Sequence, residues 1–412
     1  MATPPARPAV IGAVRVRPGA LLAVSAIALI SLNLRPAANG MGTVIPEVRA
    51  DLGLSATVAG LLNALPGLCF VVFGLTAPAI SARFGPQRTV AAGLVAMIAG
   101  QLFRVTVPGV AAVFAGSVLA LAGMAMGNVL LPRLVRTLFP GRVPAVTAIY
   151  TTCMLAGATA ASGLTVPIGR GLDGGWRAGL GSWSILACLA LVPWVALLIR
   201  ERAGDGPESQ HDDGRIRLRS LVRNRVAWSM ALFFGMQSMH AYVLTGWLSQ
   251  ILVDAGVDLP VAGSAVALFV GTGLPMAAVV PALARRQARL PALIVALGAC
   301  YVVGYTGLIV RPADGLWVWA VVLGAGSGAF PLTLMMVTLR ARTLSGLTAL
   351  SAFGQSAGYV LATLGPFVFG LLHDLTGGWA VSSGMMIAVA LAMVVFGLLA
   401  ARPRYVEDHL LP

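Results

Sequence analysis

The sequence contains no lysine, and charged residues make up only 10% of its 412 residues, whereas hydrophobic residues make up 58%. Soluble proteins do not have this composition, so the chain is predicted to lie in a lipid bilayer. Without lysine there is no Walker phosphate-binding loop, which excludes ATP-driven transport by this chain alone. The 28 basic residues are all arginines in short segments between apolar runs, a pattern that does not favour nucleic-acid binding.

Cysteine is also scarce. The four cysteines, Cys69, Cys153, Cys188 and Cys300, lie inside apolar segments and form neither a CxxC pair nor a Cys/His spacing. We therefore expect no disulfide framework, no metal site and no cofactor. No catalytic constellation is apparent either, so the chain is not expected to be an enzyme.

Twelve apolar segments are long enough to cross a bilayer. They lie at 19–46, 55–81, 88–106, 110–137, 144–169, 178–199, 225–252, 259–284, 290–310, 314–339, 346–372 and 378–401. If the N-terminus is inside, 22 arginines lie at the cytoplasmic ends of the spans and in cytoplasmic loops, and Arg35 is embedded in the membrane. Five arginines lie on the opposite side: Arg49, Arg104, Arg170, Arg177 and Arg311. This asymmetry predicts a multi-pass protein of the cell (plasma) membrane with both termini in the cytoplasm.

A polar segment divides the twelve spans into two sets of six. The predicted domains are an N-terminal six-helix bundle at 1–199, a cytoplasmic linker at 200–224 and a C-terminal six-helix bundle at 225–412. The halves repeat one another, since the sequence 78–83 returns 203 residues later at 281–286, and Gly174-Gly175-Trp176 returns at the same offset. Parallel repeats place a central site between the halves, and such a duplicated chain is sufficient as a monomer.

Two six-helix halves, a central polar loop and a basic loop after the second span resemble the major facilitator superfamily. Within it, the motifs at 33–37, 45–55, 127–132 and 139–142 (NLRPA, IPEVRADLGLS, GNVLLP and FPGR) resemble the cyanate and 2-nitroimidazole transporter family. The resemblance implies an all-α membrane protein of twelve helices in two pseudo-symmetric bundles. It also implies transport by alternating access.

The loop after the second span departs from the superfamily signature, because Ala82 stands where that signature has an acid. The usual ion-pair latch is therefore not expected here. The remaining signature residues and their repeat counterparts are predicted to act in gating and topology: Arg83, Gly85, Arg88, Arg285 and Arg286.

Arg35 is the main candidate for substrate binding. A helix that starts near Gly19 carries it roughly 24 Å into a hydrocarbon core about 30 Å thick. All fourteen acidic residues lie at span ends or in loops, so no carboxylate is expected at its depth. An embedded arginine normally has a partner, and two interpretations stay open: an anionic substrate, or the Leu32 carbonyl that Pro36 leaves without its helical donor.

Further candidates lie on three other stretches. Asn39 shares a helical face with Arg35, and the seventh span carries Gln237 and His240 at a similar depth. His240 is expected to face Arg35, where it would bind substrate or carry a coupled proton; the alternative is a structural hydrogen bond to a neighbour. Tyr150 in the fifth span and Gln355 and Tyr359 in the eleventh complete the predicted pocket, although they could equally join helices to one another.

These features predict a secondary active or facilitative transporter of a small anionic or polar solute, cyanate-like or nitro-substituted. Its partners are expected to be that solute, membrane lipid and, as a further hypothesis, protons taken up in symport. One alternative is a proton-coupled exporter of small neutral or cationic drugs, which an embedded Asp or Glu would favour. Another is a membrane receptor or sensor that does not transport, against which the short loops and the lack of a soluble output domain argue.

Overall fold

The computed structural model describes residues 18–201 and 221–409, which form α-helices and two short 3-10 turns without any strand. Seven helices build the first half. Their bounds are α1 Pro18–Asn33, α2 Pro36–Leu52, α3 Ala56–Phe84, α4 Pro86–Thr106, α5 Val110–Leu138, α6 Val143–Gly171 and α7 Gly175–Glu201.

Seven further helices build the second half. Their bounds are α8 Arg225–Asp254, α9 Leu259–Ala284, α10 Leu290–Val310, α11 Leu316–Gly326, α12 Ala329–Leu339, α13 Leu344–Thr376 and α14 Trp379–Ala400. Most of the predicted linker (202–220) and the N-terminal arginines Arg7, Arg15 and Arg17 lie outside the described residues.

Eleven helical segments in the described ranges are long and apolar enough to cross a membrane. The predicted seventh span corresponds to α8, which is helical over 30 residues but more polar. Its polar side chains are inside the protein, since Gln237, His240 and Ser249 are all buried. The predicted all-α membrane fold is confirmed.

Two predicted spans are each built from two helices. In the first, α1 ends at Asn33 and α2 begins at Pro36, because Pro36 has no N–H to continue the ladder and its fixed φ suits a first helical position. In the tenth, α11 ends at Gly326 and α12 begins at Ala329. Both breaks lie at the centre of the molecule, where Arg35 and Ser327 border the same cavity.

The two halves pack mainly along three helix pairs: α3 with α13, α6 with α9, and α2 with α8. Glycine permits close approach at these contacts. A Cβ on Gly42 of α2 would collide with the Thr245 carbonyl oxygen of α8, and a Cβ on Gly60 of α3 would lie 2.7 Å from the Pro366 carbonyl oxygen of α13. The halves therefore touch backbone to backbone, as is common between membrane helices.

On the side opposite the linker, polar contacts also join the halves. The Asp374 carboxylate accepts the backbone N–H groups of Ala56 and Thr57, at 3.0 and 2.6 Å, and the Thr57 hydroxyl. Arg170 forms a salt bridge of 3.1 Å with Asp258. All of these residues lie at helix ends that the chain direction places on the side away from the linker.

The C-terminal segment is fastened to the linker side of the second half. The Arg340 guanidinium donates to the carbonyl oxygens of Ala400, at 2.8 Å, and Ala401, at 2.5 Å. The Glu407 carboxylate accepts the backbone N–H of Thr343 at 3.0 Å and its hydroxyl at 2.9 Å, at the start of α13. Burial alone would raise the pKa of Glu407, but hydrogen bonds from the Thr343 and Arg342 region outweigh it and lower the pKa.

Candidate functional site

A central cavity of about 670 Å³ lies between the two halves. Residues from both bundles line it, and its wall includes the break in the first span and the break in the tenth. Cavities of this size and position accommodate small organic ligands in other proteins. The arrangement agrees with the central site that the internal repeat predicts.

Arg35 occupies the break in the first span and caps the N-terminus of α2. Its guanidinium borders the cavity and lies 5.9 Å from the centre of the Phe70 ring. Among the described residues it has no hydrogen bond and no carboxylate partner. The positive end of the α2 dipole lies at the same place, so the site favours negative charge.

The alternative partner for Arg35, the Leu32 carbonyl, is not bonded to it. That carbonyl instead faces α6, where a Cβ on Gly157 would collide with the Leu32 oxygen. The carbonyl that Pro36 leaves without a donor is thus covered by close helix packing. The guanidinium stays available on the cavity side.

Arg104 corrects one of the predictions from the sequence. The positive-inside count placed it outside, whereas the structure buries it in α4, 1% exposed, and the side chain borders the cavity. It donates to the Ala37 carbonyl oxygen at 3.1 Å and to Gln101 Oε1 at 3.3 Å, while its Nε has no partner among the described residues. Its place two residues before the end of an apolar span, one turn after Gln101, was the available signal.

Two polar side chains next to these arginines lack partners in the described parts of the chain. Asn39 borders the cavity one turn beyond Arg35, and no hydrogen bond of its amide is found. Ser117 on α5 is 2% exposed and its hydroxyl is unpaired. No carboxylate of residues 18–201 or 221–409 lines the cavity, so neither arginine is neutralised there by the described chain.

Aromatic side chains form another part of the wall. Tyr359 stacks on Phe70 with 5.4 Å between ring centres and packs against Tyr242 at 6.4 Å. The Arg35 guanidinium lies beside the same Phe70 ring, so Arg35 and Tyr359 are both neighbours of Phe70. Tyr359 therefore lies in the same cavity as Arg35, as the sequence predicts.

Gln237 also lines the cavity, and its amide donates to the Ser238 hydroxyl at 2.6 Å. Asn63 donates to the Gly246 carbonyl oxygen at 2.9 Å, which joins α3 to α8 across the cavity wall. The sequence placed Gln237 in the pocket. The structure gives Asn63 a contact between the halves.

His240 does not face Arg35. It is fully buried between α8 and α10, with its ring stacked 4.0 Å from Tyr301 and its Nδ1 at 3.4 Å from the Tyr305 hydroxyl. It is not among the residues that line the cavity. Gln237 and His240 lie three residues apart on α8, about 60° apart around the helix, so Gln237 borders the cavity while His240 packs against α10.

Tyr150 and Gln355 are likewise absent from the cavity wall. Tyr150 is half-buried against the core, while its neighbours Thr151 and Thr152 line the cavity. Gln355 donates to the Ser351 hydroxyl at 2.9 Å within α13. The Gln355 bond lies within one helix and does not join two helices, so the roles of both residues stay predictions.

The predicted gating residues all lie at the linker side. Arg83 lies in the last turn of α3 and Arg88 in the first turn of α4, and Gly85, with φ of +87°, is the single residue between the two helices. A residue with a side chain would be strained at that φ, so Gly85 allows the tight connection. Arg285 and Arg286 are exposed between α9 and α10, and the gating role of all five stays a prediction.

In the described parts of the chain, no group of three or more His, Cys, Asp or Glu residues could hold a metal ion. The charged groups that the cavity presents to a ligand are the guanidinium groups of Arg35 and Arg104, with further hydrogen-bond donors beside them.

The sequence model that represents the Major Facilitator Superfamily matches residues 21–366 of the chain. The chain belongs to this superfamily. Its members are transporters, which agrees with a membrane protein of this fold that has a central cavity.

Relatives of similar length support the assignment. The chain is 35% identical over 385 residues to the uncharacterized transporter YycB of Bacillus subtilis, with 93% of this chain and 94% of the relative covered. It is 32% identical to the 2-nitroimidazole transporter of Escherichia coli, with 94% and 97% covered. It is 28% identical to the cyanate transport protein CynX of the same species, with 86% and 90% covered.

Among solved structures, the chain is similar to a bacterial homologue of the human lysosomal transporter Spinster. The TM-score is 0.77 at 13% identity, and 95% of this chain and 99% of the other are covered. At this identity the similarity shows the fold alone. The predicted superfamily and its resemblance to the cyanate and 2-nitroimidazole transporters are confirmed.

Proposed function

We propose that this protein is a secondary transporter of a small anionic or strongly polar solute, which it carries by alternating access of the central cavity. The observation that supports this most directly is a pair of arginines, Arg35 and Arg104, at a cavity without a carboxylate. Desolvated charges are costly unless they are paired. A bound anion would supply the missing pairing and accept charge-assisted hydrogen bonds from guanidinium groups.

The proposed binding residues are Arg35 and Arg104, with Asn39, Gln237 and Tyr359 beside them on the cavity wall. The two named relatives are transporters of cyanate and of 2-nitroimidazole. Cyanate-like and nitro-substituted compounds are therefore the first solutes to test. A cation would be repelled by this wall, which disfavours export of cationic drugs.

The transport test uses the full chain reconstituted into liposomes. We expect saturable uptake of radiolabelled cyanate or of a carboxylate such as benzoate, and a loss of about tenfold or more in apparent affinity for Arg35→Gln, because charge-assisted hydrogen bonds are removed. The matched control is Arg133→Gln, an exposed arginine of α5 that does not line the cavity. Uptake of neutral or cationic drugs in place of anions, or equal affinity in wild type and Arg35→Gln, would contradict the proposal.

Proton coupling through His240 is a separate hypothesis. Its Nε2 has no partner in the described parts of the chain, and the ring is sealed between two tyrosines. Protonation would therefore require α8 and α10 to separate. His240→Phe should abolish any dependence of uptake on a pH gradient if the hypothesis holds, and should leave that dependence intact otherwise.

We also infer that both termini face the cytoplasm and that the protein works as a monomer. The arginine asymmetry supports the first inference, and a complete cavity within one chain supports the second. Labelling of a cysteine placed in the loop between α4 and α5, from outside intact cells, tests the orientation.

A further inference from the structure

The chemistry of the cavity wall is divided between the two halves. Both charged residues that line it, Arg35 and Arg104, belong to the first half. All the aromatic residues that line it belong to the second half: Tyr242, Phe269, Phe330 and Tyr359. A ligand that touches both sides therefore meets cations at one end and apolar rings at the other.

The first half offers hydrogen-bond donors that the described protein leaves unused. Arg104 Nε and Ser117 Oγ are both buried and unpaired, on adjacent helices α4 and α5 that pack closely. Leaving such groups unpaired is costly, and an oxyanion in the cavity would remove the cost. A carboxylate has two oxygens, so it is able to accept hydrogen bonds from two donors at once.

The second half offers a surface for a flat apolar group. Tyr359 is held in place by stacking on Phe70 and by an edge contact with Phe234 at 5.1 Å. Tyr242 lies nearly parallel to it, with 21° between the ring planes. Rings prefer such fixed aromatic surfaces over water, whereas a three-atom ion such as cyanate has no ring to place against them.

On these grounds we infer that the preferred substrate is an organic monoanion with a flat apolar body, bound with its carboxylate toward Arg104, Ser117 and Arg35 and its ring toward Tyr242 and Tyr359. This inference rests on the proposed anion transport and narrows its substrate class. Because such a molecule contacts both halves at once, its binding favours their closure around it. A bare inorganic anion has no apolar group for the rings of the second half to contact.

The first experiment compares four probes on the purified full chain, by calorimetry or by the shift in thermal unfolding. The probes are benzoate, cyclohexanecarboxylate, benzyl alcohol and cyanate. We expect benzoate to bind about tenfold or more tighter than cyanate, which lacks the ring, and than benzyl alcohol, which lacks the charge. Cyclohexanecarboxylate should be about threefold weaker than benzoate, because it cannot stack.

Two variants test the contacts proposed for the two ends of the substrate. Ser117→Ala removes a hydroxyl that has no partner in the described chain, so folding should be preserved, and it should reduce the preference for benzoate over benzyl alcohol. Tyr359→Leu should reduce the preference for benzoate over cyanate. The matched control is Ser162→Ala, which should change neither preference. Ser162 is a buried serine of α6 that lies outside the cavity wall, and its hydroxyl donates to the Ala158 carbonyl oxygen.

The outcomes separate the two proposals. If cyanate binds as tightly as benzoate, or if Ser117→Ala and Tyr359→Leu leave both preferences unchanged, the inference about the apolar body is overturned while anion transport stands. If no anion binds, or if benzyl alcohol binds as tightly as benzoate, both proposals are overturned.

Discussion

The strongest test of how the cavity closes concerns Asp374. Its carboxylate joins the end of α13 in the second half to the start of α3 in the first, through the hydrogen bonds to Ala56 and Thr57. The internal repeat relates this contact to the ion pair of Arg170 and Asp258, since the two sites lie one half-length apart in the chain. The two contacts thus occupy equivalent places, but they differ in chemistry.

Asp374→Ala should favour opening on the side opposite the linker. Asp374 acts as a helix cap across the boundary between the halves, and caps are worth about 0.5–2 kcal/mol, with about 0.3–1 kcal/mol more from the helix dipole. Allowing for its 28% exposed side chain, we expect a loss of about 1–2 kcal/mol, which shifts the population between the two states roughly 5- to 30-fold. Asp258→Ala breaks a pair whose side chains are 52% and 63% exposed, and such pairs contribute about 0–1 kcal/mol.

The assay is the distance between spin labels on cysteines at Leu172 and Leu375, in a chain without its native cysteines. Both positions are exposed, at 64% and 72%, and they lie in opposite halves on the side away from the linker. Asp374→Ala should shift the distance distribution toward longer separations, and Asp258→Ala should shift it less. An unchanged distribution in Asp374→Ala, or equal shifts in both variants, would refute the reasoning.

Three further outcomes follow from contacts described above. Arg340→Gln should lower the free energy of unfolding by about 2–4 kcal/mol, because buried carbonyl oxygens lose charge-assisted donors; equal thermal stability would contradict this. Because the pKa of Glu407 is lowered in the folded protein, its bonds to Thr343 stabilise the fold above about pH 4.5, the usual range of a carboxyl. This stabilisation is lost as the pH falls. Glu407→Gln should remove this pH dependence from thermal unfolding. Gly42→Val should block the close approach of α2 to the Thr245 carbonyl oxygen, and should therefore reduce uptake by proteoliposomes without preventing expression. The control Gly141→Val, at a position with open space around it, should behave as wild type.

The fold was largely predictable because long apolar runs and a repeat of 203 residues leave few alternatives for a membrane protein. Arg35 was predictable in the same way, since a charge in the middle of an apolar span is conspicuous. Hydropathy cannot show on which face of a helix a residue lies, so His240 was expected at the cavity but lies against Tyr301 and Tyr305.

Arg104 could not be found by the same reasoning, because an arginine near the end of a span is normally explained by the lipid interface. Its burial depends on Gly116, where a Cβ would lie 2.7 Å from the Arg104 backbone and Cβ, and so on the packing of α4 against α5. The unpaired state of Ser117 depends on the same packing. Contacts between helices decide these features, and one sequence does not contain them in readable form.

The divided first span has a mechanical consequence. Its first piece, α1, packs against α6 and α7 of its own half, whereas its second piece, α2, also packs against α8 of the other half. Arg35 stands at the joint between them. If the halves rock as proposed, we expect the two pieces to be pulled in different directions, so that the bend at Pro36 changes and the guanidinium moves with it. The guanidinium that is proposed to bind the solute therefore lies at a joint whose angle is expected to change during rocking. Such a change would weaken solute binding when the cavity opens on one side of the membrane and restore it when the cavity opens on the other.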